Sequence, residues 1–277
     1  MALTTVQVRE DTPLAAAYRA EGRVLSYLKR KVLAIQDGSY LLANASRALV
    51  TRPRYPLDTL MQMDVIGVGS LPIVLLVGFF TGAVLALQSY RSLARFGEVS
   101  ILGQMVALSV VLELGPVLTA VVVAGRNASG IASELGSMLV SEQIDALRAM
   151  GTDPVRKLVA PRLYATLITV PLLTVISDFV AMIGGSFIAV TTAHLTAAQY
   201  WSSAYQNLDY HDLTQGLIKP VVFALVIAIV GCYFGLNTTG GTEGVGRSTT
   251  QAVVVSIVLV IMLDFLITQF LIGIGFA

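Results

Sequence analysis

Charge is scarce in this chain: only 13% of its 277 residues are Asp, Glu, Lys or Arg, against 55% hydrophobic. A soluble domain averages about 25% charged residues, so this sequence cannot cover the surface of a water-soluble globule. The mean hydropathy of +0.77 agrees. Cysteine is rarer still. The lone Cys232 excludes an internal disulfide, a cysteine-rich zinc site and an iron–sulfur site. Two histidines, His194 and His211, make a histidine-based metal centre improbable, and no metal ligand is assigned. A net charge of +1 offers no field for nucleic acid, which is not expected as a partner. The first twenty residues lack the apolar core of a secretory signal.

What remains is long apolar runs. A bilayer core of about 30 Å needs about 20 apolar residues of helix, because lipid gives the backbone no hydrogen-bond partner. Val65–Tyr90 has no charge, Val99–Gly125 only Glu113, and Leu163–Ala193 only Asp178. Pro220–Thr242 has none, and Ala252–Gly275 only Asp264. The expectation is an all-α membrane protein with five transmembrane helices and termini on opposite sides.

Lys and Arg concentrate on the cytoplasmic side of bacterial membrane proteins. Nine precede Asp64, five lie in Arg126–Arg162, and Arg247 follows span four, giving fifteen on one side. Arg91, Arg95 and Lys219 make three on the other. The expected orientation has a cytoplasmic N-terminus and an external C-terminus.

Upstream of the spans, Leu25, Leu28, Val32 and Ile35 recur at helical spacing among Arg23, Lys29, Arg30 and Lys31, and Leu42, Ala45 and Leu49 continue the pattern. A basic amphipathic helix of this kind lies in the membrane interface; a soluble helix packed on a partner is the other account. Inside the spans, Gly78–Gly82–Ala86, Ala181–Gly185 and Gly231–Gly235 place small residues four apart, which lets helix backbones approach closely.

The glycine-rich run Gly240–Gly246 is followed by Arg247-Ser248 rather than Lys-Ser/Thr, and no strand precedes it. It does not match a phosphate loop and reads as a flexible cytoplasmic turn. No nucleophile–base set or paired carboxylates point to catalysis, so no catalytic residue is assigned. The intramembrane acids Glu113, Asp178 and Asp264 are costly in hydrocarbon, roughly 2.5–3.5 kcal/mol on insertion scales. Each either fixes packing through an interhelical hydrogen bond or serves a relay or substrate cavity. Pro116 follows Glu113 closely and kinks its helix, opening room beside the carboxylate.

The stretch Ser141–Pro154 predicts a short cytoplasmic helix with acids near its start, Arg148 near its end and Gly151 as its stop. Asp153-Pro154 then opens the next helix. A helix attached stiffly to two spans suits docking of a soluble partner; a solvated loop helix is the bland account.

This same stretch carries a resemblance. Glu142 through Pro154, continued by Leu158-Val159-Ala160-Pro161-Arg162, closely resembles the cytoplasmic loop of the MlaE/YrbE lipid-transport permeases. Other segments match in order: Thr81-Gly82, Leu87-Gln88, Glu113 through Val117, Ala124-Gly125-Arg126, Pro171-Leu172-Leu173, Gly184-Gly185 and Gly244 through Thr250.

The resemblance implies a non-catalytic membrane subunit of an ABC transporter in the bacterial inner membrane. It divides the chain into a segment 1–64 with the interfacial helix and a five-helix permease domain 65–277, whose coupling loop is 126–162. It implies a second permease copy or paralogue, a MlaF-like ATPase that binds the ATP and magnesium, and an external MCE-domain protein exchanging membrane lipids, phospholipid among them. This chain itself would bind no cofactor. The resemblance makes Glu142, Gln143, Asp145, Arg148 and Asp153 the contacts to the ATPase, and Leu87, Tyr90, Leu112, Glu113 and Leu114 the border of a lipid cavity. Some relatives carry Arg where this chain has Leu112, so a charged headgroup contact there is not expected. A different class of function is an ion-coupled secondary transporter using Glu113, Asp178 and Asp264; the odd number of spans, which leaves no simple inverted repeat, argues against it.

Overall fold

The computed structural model describes residues 36–47, 55–206 and 208–273, and among them every regular element is a helix. In chain order these are α1 (residues 36–47), α2 (Pro56–Ile66), α3 (Leu71–Phe96), α4 (Leu102–Ser109), α5 (Gly115–Val123) and α6 (Ser129–Val140). Then follow α7 (Gln143–Ala149), α8 (Ala160–Thr191), α9 (Ala197–Gln206), α10 (Tyr210–Leu236) and α11 (Gly241–Gly273).

Five runs of helix are long and apolar enough to cross a membrane: Pro56–Phe96, Val99–Val140, Val155–Thr191, Tyr210–Leu236 and Gly241–Gly273. The chain is a multi-pass all-α membrane protein. The spans are longer than the charge-free runs because helix continues into the charged flanks. Span two reaches Val140 rather than Gly125, and span three begins at Val155 rather than Leu163. The glycine run is corrected: Gly241 already begins α11, and only Asn237–Gly240 form the turn. Gly240 and Gly241 take positive φ, while Gly244 is buried against the carbonyl of Thr239, which a Cβ there would overlap.

Local chemistry sets the ends. Pro56 opens α2, where a missing N–H costs nothing, while Pro116 and Pro161 lie inside continuous helix just after π-helical turns. Span one stops at Gly97, which is left-handed with φ of 75°. A capping box between Asp209 and Asp212 opens span four. Span two is one helix run containing two wide π-helical turns, Val110–Leu114 and Ala124–Ala128; a third, Val155–Val159, opens span three.

The small residues mark where backbones touch. A Cβ on Gly82 would lie 1.8 Å from the carbonyl oxygen of Ala181, and one on Gly184 2.1 Å from that of Phe79. Spans one and three therefore meet main chain to main chain. Gly231 and Gly235 bring span four onto the side chains of Ile131 and Leu135 and the backbone of Ala128 and Ala132 on span two.

Four buried clusters fill the bundle among the described residues, the smallest being Ala107, Met182 and Ala204. A central one joins Val123, Val170, Phe223 and Val260. One at the α7 end holds Ile131, Leu135, Ile144 and Leu163, and Leu42 and Ala45 of α1 pack into it. One at the far end holds Ala86, Leu102, Val106 and Tyr200 of α9. The expected interfacial residues Leu25, Leu28, Val32, Ile35 and Leu49 lie outside the described residues.

Candidate functional site

Glu113 sits in the first π-helical turn of span two, two residues ahead of Gly115-Pro116. Proline has no N–H to give the carbonyl of Leu112, its partner four residues back in an α-helix. That carbonyl accepts a 2.8 Å hydrogen bond from the ammonium of Lys219 on span four. The same ammonium lies 2.7 Å from the Glu113 carboxylate and 3.1 Å from Asp264 on span five. Thr268, one turn beyond Asp264, donates to Glu113 at 3.3 Å. One lysine thus ties spans two, four and five inside the membrane.

This corrects one expectation and answers another that was left open. Lys219 is not a flanking charge but lies within α10 with its side chain fully buried, which leaves Arg91 and Arg95 on the sparse side of the charge count. Glu113 and Asp264 are not unpaired. With the lysine between them they are not free carboxylates for a coupling ion, which weakens the secondary-transporter reading. Asp178 differs: its Oδ1 is buried and has no hydrogen-bond partner among the described residues. The signal for Lys219 was present in the sequence, since three acids in hydrocarbon require neutralisation and Lys219 borders a charge-free run.

Glu113 is itself 41% exposed. In the same π-helical turn, Leu114 lines a groove of about 340 Å³ together with Phe80, Thr81, Val84, Leu85 and Gln88 of span one. Leu87 and Tyr90 are half-buried and do not line this groove; Tyr90 packs on the cluster around Leu102. Leu112 contributes its backbone to Lys219.

At the other end, α7 is shorter than the expected Ser141–Pro154. Glu142 is left-handed with φ of 58°, so the chain turns there before α7 begins at Gln143. Gly151 with φ of 75° stops it, its N–H bonded to the Arg148 carbonyl. Asp153 accepts the Val155 N–H at 2.9 Å and opens span three. Ile144 is fully buried in the α7-end cluster. Gln143, Asp145 and Arg148 stay exposed, with Asp145 and Arg148 paired at 2.9 Å. Met150, 71% exposed beside them, is an apolar contact point that charge-based reasoning overlooked. Arg162, 5% exposed, braces this end by donating to Glu134 and to the Leu158 carbonyl, both at 2.7 Å.

Residues 59–270 match the family described as Permease MlaE. The chain belongs to the MlaE permease family. It is 42% identical over 244 residues to a probable ABC transporter permease protein of Rickettsia conorii, covering 87% of this chain and 94% of that one. It is 37% identical over 233 residues to the intermembrane phospholipid transport system permease protein MlaE of Haemophilus influenzae, covering 82% and 89%. The chloroplastic protein TRIGALACTOSYLDIACYLGLYCEROL 1 of Arabidopsis thaliana is 38% identical over 213 residues, covering 77% and 61%. This MlaE-family permease therefore combines a helix presented outside the bundle with a lysine-centred charge network inside it.

Proposed function

We propose that this permease moves phospholipid in the bacterial inner membrane, driven by ATP hydrolysis on a separate MlaF-like ATPase subunit that docks on α7. The carrying observation is the build of α7: Ile144 is locked into the core while Gln143, Asp145, Arg148 and Met150 face outward between two long spans. A nucleotide bound to a partner shifts a permease only through contacts that differ between its two states. A rigid helix joined directly to spans two and three supplies such contacts.

A second permease copy covers span five, whose most apolar window is only 11% buried, against 33–50% in the other four. The groove beside Leu114 and Glu113 opens toward the lipid path, and an external MCE-domain protein exchanges lipid at the α9 end. By the charge count the α7 end is cytoplasmic.

The test is charge reversal at Asp145 in the assembled transporter. Its ion pair with Arg148 is exposed and contributes little to stability. Asp145→Arg is expected to leave the melting temperature unchanged while lipid transfer falls at least about tenfold and the ATPase loses its response to lipid. Unaltered transfer would sink the proposal.

A further inference from the structure

Arg126 is a cation inside a spanning helix with no carboxylate to meet. It lies in the second π-helical turn of span two, where the charge-free run ends. Arg148, Arg156, Lys157, Arg162 and Arg247 each have a carboxylate within ion-pair reach. Arg126 has none among the described residues, as Arg91 and Arg95 at the far end of span one have none, and it is exposed.

Its depth follows from the helix rise. Val99 opens span two, and 27 residues on, at 1.5 Å each, Arg126 lies roughly 40 Å further along. A bilayer with its headgroups is about 40–45 Å thick. With Glu98 and Arg95 marking one interface, the guanidinium stands at headgroup level of the leaflet on the α7 side.

The surroundings are shaped for an incoming group. The guanidinium reaches across to the break between α2 and α3, where a Cβ on Gly69 would stand 2.5 Å from its Nη2. Beside it on span two, Gly125 and Gly130 face open space. Ser129 between them turns its hydroxyl inward, onto the carbonyls of Gly125 and Arg126. On α3, exposed Ile73, Leu76 and Phe80 follow Gly69 at helical spacing and run from it into the middle of span one. The other way lies α2, with exposed Asp64 on its open face and Asp58 paired to Lys157 at the charged start of span three.

We propose that Arg126 binds the phosphate of a phospholipid seated in the leaflet at the α7 end, with an acyl chain along Ile73, Leu76 and Phe80 of α3. The guanidinium fork matches two phosphate oxygens, and the glycines let the headgroup approach the helix backbone. This site requires only that the chain spans a membrane. It stands or falls independently of the ATPase and of transport.

Native mass spectrometry on the full-length permease in detergent tests it, with phosphatidylglycerol, diacylglycerol of the same chains and inorganic phosphate as probes. The tightest phosphatidylglycerol site is expected to weaken about tenfold in Arg126→Ala, and also in Arg126→Lys, which keeps charge without the fork. Gly69→Ala, which displaces the flexible guanidinium but preserves it, is expected to weaken the site too. Diacylglycerol is expected to bind all variants alike. Wild-type retention in Gly69→Ala or in either Arg126 variant overturns the proposal. So does displacement of the lipid by inorganic phosphate at equal concentration, which would mark a free-anion site. If Arg126→Ala does not accumulate, Arg126→Lys and Gly69→Ala decide the matter.

Discussion

The carboxyl of Asp178 occupies the space that a methyl group on Gly115 would need: a Cβ at Gly115 would lie 1.6 Å from Oδ1. Span three thus presses an acid onto span two one residue before Pro116. The contact needs the shape of the side chain, not a charge, because no cation among the described residues pairs with it. Asp178→Asn, equal in shape, is expected to melt within about 1 kcal/mol of the parent. Gly115→Ala is expected to lose roughly 1–3 kcal/mol by overpacking. Unfolding in detergent, followed by the fluorescence of the single Trp201, compares the two.

Removing Lys219 alone strands two carboxylates in the membrane. Lys219→Met is expected to cost about 3–5 kcal/mol, the range for breaking one side of a buried pair. Adding Glu113→Gln and Asp264→Asn removes the stranded charges, and the triple variant is expected to recover most of the lost stability. A triple variant no more stable than Lys219→Met would show that the lysine acts through packing instead.

Glu142 holds a left-handed backbone that costs a side-chain-bearing residue about 1–2 kcal/mol. Glycine adopts it freely but loses more entropy on folding. Glu142→Gly is expected to raise stability by up to about 1 kcal/mol. Measured beside transport, this substitution separates the stability of the loop from any contact the carboxylate makes to the ATPase.

The Arg162–Glu134 pair is lopsided, with side-chain exposures of 6% and 56%. Glu134→Gln leaves the guanidinium its bond to the Leu158 carbonyl, and is expected to cost less than about 1 kcal/mol. Arg162→Met empties a buried polar site and is expected to cost about 2–4 kcal/mol. Equal losses for the two would place the stabilisation in the ion pair itself.

The five spans were legible because the absence of charge over twenty residues is a one-dimensional signal. The stop at Gly151 was legible for the same reason, since it depends on neighbours in sequence. The lysine network was not. Residues 113, 219 and 264 meet only when three helices are packed, and Lys219, next to Pro220, reads along the chain as the edge of a span. The left-handed turn at Glu142 gave no warning either, because glutamate carries no local preference for it. The π-helical turns also escaped, as they leave the apolar pattern intact.

Span two runs unbroken from Val99 to Val140, so about 40 Å of helix, 27 residues at 1.5 Å, joins Glu113 to the edge of α7. It has the build of a drive shaft, stiff to a push along its axis. Its two wide turns are slip joints: moving one by a single residue would swing each side chain it passes by about 100°, the rotation per residue of the helix. A push on α7 that moved such a turn would reach Glu113 as twist, without any span having to bend.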